Sequence, residues 1–378
     1  MLKRWMLGLF FVLALLYNGK AVALERMETQ TSARAACIME METGRVLLAI
    51  NEREPLPMAS TTKVMTALLA LERGDLDEPV TCSKNAFGVP GTSIYLGLGE
   101  TLTLGDMVTV LMLASGNDAA VAIAEHIGGS VEGFAQLMNA RAREIGAHDT
   151  HFITPHGLPQ EGHVTTAYDL ALITREAMRR ADFRDLVSTQ RATIPWENHD
   201  YDRVLHNKNK LLSAYPGATG IKTGYTRAAG RCLAFGAQRN GMEVVGVVLN
   251  CADWFDESAR LMELCFENYT RTALSDAHVS LGSVRVKGGA DTHVNVLTQR
   301  ALSAPLLEGE QARLEIVLPA QLDAPIQLGQ PLGEARVLID DEVIDTQPLL
   351  ATGAVDKANY RMYLSTILRC WPLTRAGS

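Results

Sequence analysis

Residues 57–74, with the sequence PMASTTKVMTALLALERG, place a serine and a lysine three positions apart at the start of an apolar segment. Alanine, leucine and methionine dominate the segment and are strong helix formers, so the stretch predicts a buried helix. Side chains three positions apart share one face of a helix, which would bring Ser60 and Lys63 within hydrogen-bonding distance. A serine hydroxyl becomes an effective nucleophile when a base takes its proton, so the pair is a candidate acyl-transfer centre.

Lys63 can be that base only if its pKa is lowered toward the working pH. Burial in an apolar helix disfavours the charged amine, and the positive charge of Lys222 is expected to act in the same direction. The helix N-terminus adds backbone N–H groups beside Ser60, which favour the oxyanion that forms when a carbonyl is attacked. The S-x-x-K pattern also arises by chance, and serine often only caps a helix, so further motifs have to decide.

A second motif, Ser115-Gly116-Asn117, falls between two predicted helices. The apolar pattern predicts one helix over residues 104–114 and another that begins with Asn117 or Asp118 as its N-cap. At this bend the Ser115 hydroxyl could relay a proton between the lysine and a leaving amine, and the Asn117 amide could hold a substrate peptide group. Taken alone, the motif is equally compatible with an ordinary helix break and cap.

The third motif, Lys222-Thr223-Gly224, lies on a predicted edge strand. Glycine allows a ligand backbone to approach the strand, while lysine and threonine can bind a carboxylate. An ordinary surface strand with one charge is the alternative for this motif alone. All three motifs, in this order and in these local contexts, predict one site.

The order of predicted elements indicates an α+β domain. Residues 35–50 predict a hairpin, and residues 221–251 predict three strands with a turn at Arg239-Asn240-Gly241. Helices are predicted over residues 131–145 with Gly146 after them, 167–180 and 257–269. Strands at both ends of this region imply a sheet that pairs its N- and C-terminal segments. Short β-type runs over residues 276–351 predict a second, all-β domain, as expected for 378 residues with 47% hydrophobic composition.

Both ends of the chain carry candidate targeting segments. Residues 1–23 have Lys3 and Arg4 before an apolar run and end in Ala-Val-Ala, which indicates a cleaved export signal. An uncleaved anchor is the alternative, although the run is shorter than the roughly 20 residues of a membrane span. Cleavage removes Lys3, Arg4 and Lys20, which takes the net charge from −8 to −11 and argues against a nucleic-acid partner.

The C-terminal residues 355–372 predict a basic amphipathic helix that ends near Trp371. One face carries tyrosine, leucine and isoleucine, and another carries Arg361 and Arg369. Such a helix is suited to a membrane surface. Docking against the second domain of the same chain is the alternative.

The cysteines are candidates for disulfides, and the histidines are candidates for metal ligands. The six cysteines include no C-x-x-C pair, so buried free thiols are expected, and Cys232 with Cys251 is the pair to test for a disulfide. Four histidines at positions 148, 151, 156 and 163 raise the possibility of a metal hydrolase. They lack a spacing such as H-E-x-x-H, so loop histidines and no metal or other cofactor are expected.

The motifs at Ser60–Lys63, Ser115–Asn117 and Lys222–Gly224 resemble those of penicillin-binding proteins and serine β-lactamases. Their spacing is similar to that of low-molecular-weight D-alanyl-D-alanine carboxypeptidases. The likeness extends to HGLPQEGHVTTAYDLALI (156–173) and APIQLGQPLGEARVLIDDEVIDTQPLLATGAV (324–355). The resemblance implies a serine β-lactamase/transpeptidase-like α+β catalytic domain over residues 33–272, a small all-β domain over 276–351 and the C-terminal amphipathic helix.

In that family the reaction removes the terminal D-Ala from peptidoglycan stem pentapeptides through a serine acyl-enzyme, and β-lactams acylate the same serine. The resemblance implies an exported enzyme at the outer face of the cytoplasmic membrane, in the periplasm or in the cell wall. The catalytic roles that it implies are nucleophile for Ser60, base for Lys63 and proton relay for Ser115. It also implies that Asn117 binds the acyl portion and that Lys222 and Thr223, beside Gly224, bind the carboxylate. The backbone N–H groups of Ser60 and Tyr225 would form the oxyanion hole.

Two departures and three alternatives accompany this resemblance. Trp254 stands about where family members often carry a carboxylate-binding arginine, and Arg260, Arg231 and Thr226 are the candidates to replace it. Pro159 stands where aspartate is common. A β-lactamase is disfavoured because no E-x-x-L-N pattern lies between the second and third motifs. A catalytically weak penicillin-binding or wall-binding protein and a DD-endopeptidase stay open.

Overall fold

The computed structural model describes residues 30–196 and 199–359. These residues form two compact units that divide between Asn268 and Tyr269. The predicted export signal and residues 360–372 of the predicted C-terminal helix lie outside the described ranges.

The first unit contains nine strands, eight α-helices, one 3-10 helix and one π-helix in its described part. In chain order they are β1 (Ala33–Glu40), β2 (Val46–Ile50), the 3-10 helix (Ala59–Thr62), α1 (Lys63–Arg73), β3 (Pro79–Thr81), β4 (Thr101–Thr103), α2 (Leu104–Thr109), the π-helix (Val110–Ala114), α3 (Asn117–Gly128), α4 (Val131–Ile145), α5 (Ala167–Met178), α6 (Ala181–Ser188), β5 (Arg191–Ile194), β6 (Arg203–His206), α7 (Leu211–Ala214), β7 (Ala218–Thr226), β8 (Gly230–Arg239), β9 (Met242–Cys251) and α8 (Trp254–Asn268).

A five-stranded antiparallel sheet with the order β2-β1-β9-β8-β7 forms the centre of this unit. Strand β1 pairs with β9, so the predicted pairing of N- and C-terminal segments is confirmed. Asn240 and Gly241 both have positive φ, at 50° and 78°, which is the backbone of a two-residue type I′ hairpin turn. Strand β7 lies at the edge of the sheet, as predicted.

The helices agree with the sequence pattern in part. Helix α4 has the predicted bounds, and Gly146 follows it with φ 94°, a conformation that glycine adopts at no steric cost. The helix predicted over residues 167–180 ends at Met178 and is followed by the separate helix α6, which the pattern missed. Helix α8 begins at Trp254, three residues before the predicted start, with acidic residues in its first turn.

The prediction that Asn117 or Asp118 caps α3 is wrong, because Gly116 occupies the N-cap position. The Asp118 carboxylate instead accepts hydrogen bonds from the Ser93 hydroxyl and from the backbone N–H groups of Ile94 and Leu96. Its Oδ2 therefore holds the loop before β4, while its Oδ1 accepts from the backbone N–H of Ala119 in its own helix. The preceding helix is also irregular, since its last turn widens into the π-helix.

The second unit is built from strands, as predicted. They are β10 (Tyr269–Ser275), β11 (Ser280–Lys287), β12 (His293–Leu297), β13 (Leu302–Leu307), β14 (Ala312–Val317), β15 (Gln321–Asp323), β16 (Pro331–Ile339) and β17 (Glu342–Ala351). Six of them form a sheet with the order β14-β16-β17-β12-β11-β15 around a core rich in valine and leucine.

The helix predicted over residues 355–372 is wrong for its first residues, which form β-bridges instead. Val355 forms a β-bridge with Ile326 and is buried in the core of the second unit, and Lys357 forms a β-bridge with Gly289. A segment that contributes main-chain hydrogen bonds and a core side chain to the unit is held in extended form. Within residues 30–196 and 199–359, no helix has the length and hydrophobicity to cross a membrane.

Candidate active site

The 3-10 helix presents Ser60 at the entrance to α1. Ala59, the residue before Ser60, has a positive φ of 48°. Such a value is rare for a residue other than glycine and marks a locally strained turn. In a 3-10 helix, side chains three positions apart eclipse one another. The geometry brings the Lys63 amine to within 3.1 Å of the Ser60 hydroxyl oxygen.

The Lys63 amine has three hydrogen-bond partners. Besides Ser60 Oγ, Nζ lies 2.8 Å from Asn117 Oδ1 and 2.8 Å from the backbone oxygen of His156. Both oxygens can only accept, whereas a hydroxyl can donate or accept. A neutral amine fits this set when its two N–H bonds point to the two carbonyl oxygens, which leaves its lone pair toward the Ser60 hydroxyl. An ammonium group fits it equally, with a third N–H donated to Ser60 Oγ, so the electrostatics decide between the two forms.

The electrostatics also favour a neutral Lys63. The residue is 0% exposed, and none of the ion pairs in the described ranges includes it. Burial lowers its pKa well below the ordinary lysine value, and the positive charges of Lys222 and Lys208 lower it further. Asp118 acts in the opposite direction, with a smaller effect.

Ser115 and Asn117 have different surroundings. Asn117 Nδ2 donates to the backbone oxygen of Pro90 at 2.7 Å, which fixes the amide so that its oxygen faces Lys63. Ser115 has a left-handed backbone, with φ 68°, where the π-helix ends, and its side chain is buried. Its hydroxyl makes no hydrogen bond within the part of the chain that the structure describes, so it is not joined to Lys63 or Ser60.

Strand β7 carries the third motif against the 3-10 helix. A Cβ atom placed on Gly224 would lie 2.9 Å from the backbone nitrogen of Ser60 and 3.0 Å from that of Thr61, so any larger residue would push the strand away. Lys222 is 1% exposed, and its amine donates to the backbone oxygen of Thr223 at 3.0 Å. Burial, aided by the charge of Lys208, lowers the pKa of Lys222 to about 7.

His163 supports the turn that carries Ser60, which the sequence did not predict. Its Nδ1 accepts from the backbone N–H of Ile153 at 3.0 Å, and burial lowers its pKa to about 4. The single proton of the neutral ring is therefore on Nε2, which donates to Thr62 Oγ1 at 2.9 Å. Thr62 in turn donates to the backbone oxygen of Ala59, the strained residue, at 2.8 Å.

The other candidate histidines do not converge. Burial lowers the pKa of His156 to about 3, and its Nδ1 accepts from the backbone N–H of Leu158. Across residues 30–196 and 199–359, no three His, Cys, Asp or Glu side chains lie together as metal ligands would. Five cysteines, at positions 37, 82, 232, 251 and 265, are buried free thiols, so the expected thiol state is confirmed for them.

The candidates to replace the expected arginine differ in availability. Arg260 forms an ion pair with Glu257 at 2.7 Å, and Thr226 Oγ1 accepts from the backbone N–H of Ala229. Arg231 lines a surface groove together with Trp254, and one of its nitrogens donates to a backbone oxygen. Arg231 is therefore the candidate whose guanidinium has no carboxylate partner in the described ranges.

Lys208 is a second group that sequence analysis missed. The residue is exposed, yet partial desolvation lowers its pKa, and its charge acts on both Lys63 and Lys222. A lysine in the loop segment HNKNK gives no local signal of this role, because only the fold brings it near the site.

Comparison with known proteins follows the same division of the chain. Residues 21–253 match the D-alanyl-D-alanine carboxypeptidase family, and residues 269–357 match the family described as penicillin-binding protein 5, C-terminal domain. D-alanyl-D-alanine carboxypeptidase DacF of Bacillus subtilis (strain 168) is 34% identical over 355 residues, which cover 91% of each chain. DacC of Escherichia coli (strain K12) is 29% identical and covers 87% of this chain and 85% of its own length.

A solved structure agrees over nearly the same extent. Penicillin-binding protein 5 from Haemophilus influenzae superposes with a TM-score of 0.71 at 27% identity, covering 88% of this chain and 99% of that one. The similarity therefore includes both units.

Proposed function

Because the chain belongs to the D-alanyl-D-alanine carboxypeptidase family, we propose that Ser60 is the nucleophile with which this serine-type carboxypeptidase removes the terminal D-Ala from peptidoglycan stem pentapeptides. The observation that supports this most strongly is the position of the Lys63 amine, which two carbonyl acceptors hold 3.1 Å from Ser60 Oγ and whose neutral form burial favours. Attack on the carbonyl carbon of the penultimate D-Ala transfers the serine proton to this amine.

The oxyanion hole consists of the backbone N–H groups of Ser60 and Tyr225 in this proposal. The close approach at Gly224 supports it, because it puts the main chain of β7 against the 3-10 helix. Two N–H groups held by separate elements would then face the developing charge without rearrangement. The Ser115 hydroxyl makes no hydrogen bond within the described ranges, so a bound substrate could turn it. Ser115 would then pass the proton to the departing D-Ala.

Substrate orientation follows from charge. Asn117 would bind the acyl portion, and Lys222 with Thr223 would bind the C-terminal carboxylate. An arriving carboxylate favours the charged form of Lys222, whose pKa burial lowers to about 7. Protonation of Lys222 would in turn help to keep Lys63 neutral.

Acylation by β-lactams at Ser60 belongs to the same proposal, since a strained lactam carbonyl can take the place of the scissile amide. Cell-wall function is supported by the relatives. Export through residues 1–23 and attachment to the membrane surface through a helix over residues 360–372 are proposals that rest on the sequence pattern alone.

The test combines two measurements on the purified protein. Intact mass spectrometry after exposure to benzylpenicillin is expected to show one covalent adduct that peptide mapping locates at Ser60, and a D-Ala-D-Ala pentapeptide is expected to release D-Ala. Ser60→Ala should abolish both, while Ser213→Ala, an exposed serine, should change neither. An adduct that persists in Ser60→Ala would contradict the assignment.

A further inference from the structure

Asp118 is a buried carboxylate that the proposed reaction does not use. It follows Asn117 on α3, is 1% exposed and forms no ion pair within residues 30–196 and 199–359. Its Oδ1 accepts from the backbone N–H of Ala119 at 3.0 Å, and a Cβ atom placed on Gly116 would lie 2.7 Å from that oxygen. The carboxylate therefore packs directly against the second motif. A buried charge without a cation is costly, so hydrogen bonds have to compensate for it.

The other oxygen of Asp118 binds the loop before β4. Oδ2 accepts from the Ser93 hydroxyl at 2.5 Å and from the backbone N–H groups of Ile94 at 3.1 Å and Leu96 at 3.2 Å. Tyr95, between them, has a positive φ of 60° and donates its own N–H to Ser93 Oγ at 2.7 Å. A left-handed backbone is unfavourable for a bulky residue, so this turn needs contacts that hold it. The Asp118 carboxylate supplies such contacts.

The same loop determines where the Asn117 side chain points. The backbone oxygen of Thr92 accepts from the Asn117 N–H, and that of Pro90 accepts from Asn117 Nδ2, both at 2.7 Å. The amide oxygen of Asn117 is thereby left facing the Lys63 amine at 2.8 Å. Asp118 thus holds one half of the loop, and the other half orients the side chain that contacts the base. Small displacements of such a contact are costly to the rate of a reaction.

Charge also links Asp118 to Lys63. Burial lowers the pKa of Lys63 most strongly, the positive charges of Lys222 and Lys208 lower it further, and the negative charge of Asp118 raises it. His156, whose backbone oxygen accepts from Lys63, has a pKa that burial lowers to about 3, so its ring is uncharged at neutral pH. Among these groups, Asp118 alone favours the protonated amine.

We propose that Asp118 is a positioning residue for the reaction at Ser60: its carboxylate holds residues 93–96 so that the loop orients the Asn117 amide beside Lys63. Its negative charge also offsets part of the positive charge around the base, which helps the amine to take the serine proton. This inference rests on the proposed function. Asp118 is buried, so it acts through Asn117 and not through contact with a substrate.

The main experiment replaces Asp118 with asparagine in the full chain. Asparagine has nearly the same shape but one acceptor oxygen instead of two, so Asp118→Asn loses contacts and the charge together. Stopped-flow labelling with a fluorescent penicillin across a range of pH should show acylation slowed by about 10- to 100-fold. The acid limb should move to lower pH, because loss of the negative charge lowers the pKa of Lys63 and the neutral base persists to lower pH. A residue that only maintained structure would leave the limb in place.

Two further variants separate position from charge. Ser93→Ala deletes one contact to the carboxylate and keeps the charge, so acylation should slow by about two- to tenfold with the acid limb unmoved. Asp77→Asn removes a negative charge at an exposed site and should change neither the rate nor the limb.

An Asp118→Asn variant that is acylated at the wild-type rate, or that is slowed with an unmoved acid limb, would overturn the inference alone. If circular dichroism shows that Asp118→Asn does not fold, Ser93→Ala decides, and a wild-type rate in that variant overturns the inference. A wild type that neither releases D-Ala nor is acylated by penicillin would instead overturn the proposed function and this inference with it.

Discussion

Two lysines lie buried in the site with exposed fractions of 0% and 1%, yet their surroundings differ. Lys63 has three hydrogen-bond partners, two of which can only accept. Lys222 has a single carbonyl partner among the described residues. Burial lowers the pKa of both amines, so burial cannot be what separates their roles.

The hydrogen-bond partners account for the difference. Around Lys63 all three positions are filled, and two of them face carbonyl oxygens, so an amine that has lost a proton can direct its lone pair only to the Ser60 hydroxyl. Lys222 keeps N–H groups available for an incoming anion. One lysine is built to take a proton and the other to hold a carboxylate, and the predictions below on Lys63 and Lys222 test this contrast.

The largest effect is expected when Lys63 and Lys222 are replaced by arginine in two separate variants and their rates are compared. Arginine stays charged at any working pH, so Lys63→Arg should lower the rate of penicillin acylation by about 10²–10⁴-fold, the usual contribution of a general base. Lys222→Arg retains a cation and should lose about tenfold or less. Stopped-flow labelling with a fluorescent penicillin measures both rates. Equal losses at the two positions would show that the contrast is wrong.

Removal of the second cation comes next. Lys222→Ala deletes a charge-assisted carboxylate contact, so acylation should fall by about 10- to 100-fold. The charge of Lys222 lowers the pKa of Lys63, so its loss raises that pKa, and the neutral base forms only at higher pH. The acid limb of the acylation profile should therefore move to higher pH. Lys84→Ala, at an exposed site, should leave the limb in place; an unmoved limb in Lys222→Ala would count against the coupling.

A substitution at His163 tests how the turn that carries Ser60 is supported, and not the proton transfer itself. His163→Ala removes the donor to Thr62 and strands the backbone N–H of Ile153, so the free energy of unfolding should fall by about 1–3 kcal/mol. We expect kcat for D-Ala release to drop by about tenfold, with a smaller change in KM, because Ser60 loses its orientation. Steady-state kinetics and urea denaturation measure these effects. His126→Ala, at an exposed position in the last turn of α3, is the control; a change in KM alone would contradict this role.

The smallest effect concerns substrate charge. The pKa of Lys222 is lowered to about 7, so its cationic form is lost as pH rises through that value. KM for a peptide with a free C-terminal carboxylate should then increase by about two- to tenfold between pH 6 and pH 8, as a charge-assisted contact weakens. A peptide with an amidated C-terminus should show no such increase. Parallel KM profiles for the two peptides would exclude Lys222 as the carboxylate receptor.

Strong local signals made much of the sheet predictable. The Asn240-Gly241 pair determines its turn, and short runs rich in apolar residues on either side of it identify the strands of the hairpin. The edge position of β7 followed from motif context. The N-cap prediction failed because Asp118 bonds to a loop more than twenty residues earlier in the chain, a long-range contact that helix-capping preferences do not contain.

The site was less accessible to sequence reasoning where backbone atoms contribute. One acceptor of Lys63 is the carbonyl oxygen of His156, and a main-chain oxygen has no residue signature. Lys208 and His163 lie far from Ser60 in the sequence, and only the fold brings them near the site. The 3-10 geometry of residues 59–62 was also missed, because S-x-x-K has the same spacing in either kind of helix.

The protonation state of Lys63 is the most direct test of the account. Lysines labelled with carbon-13 at Cε can be followed by NMR as a function of pH, with Lys63→Arg used to assign the signal. We predict that Lys63 is neutral at pH 7 and titrates well below the exposed lysines. A Lys63 signal that reports an ammonium group at pH 7 and titrates near the ordinary value of 10.5 would contradict the account.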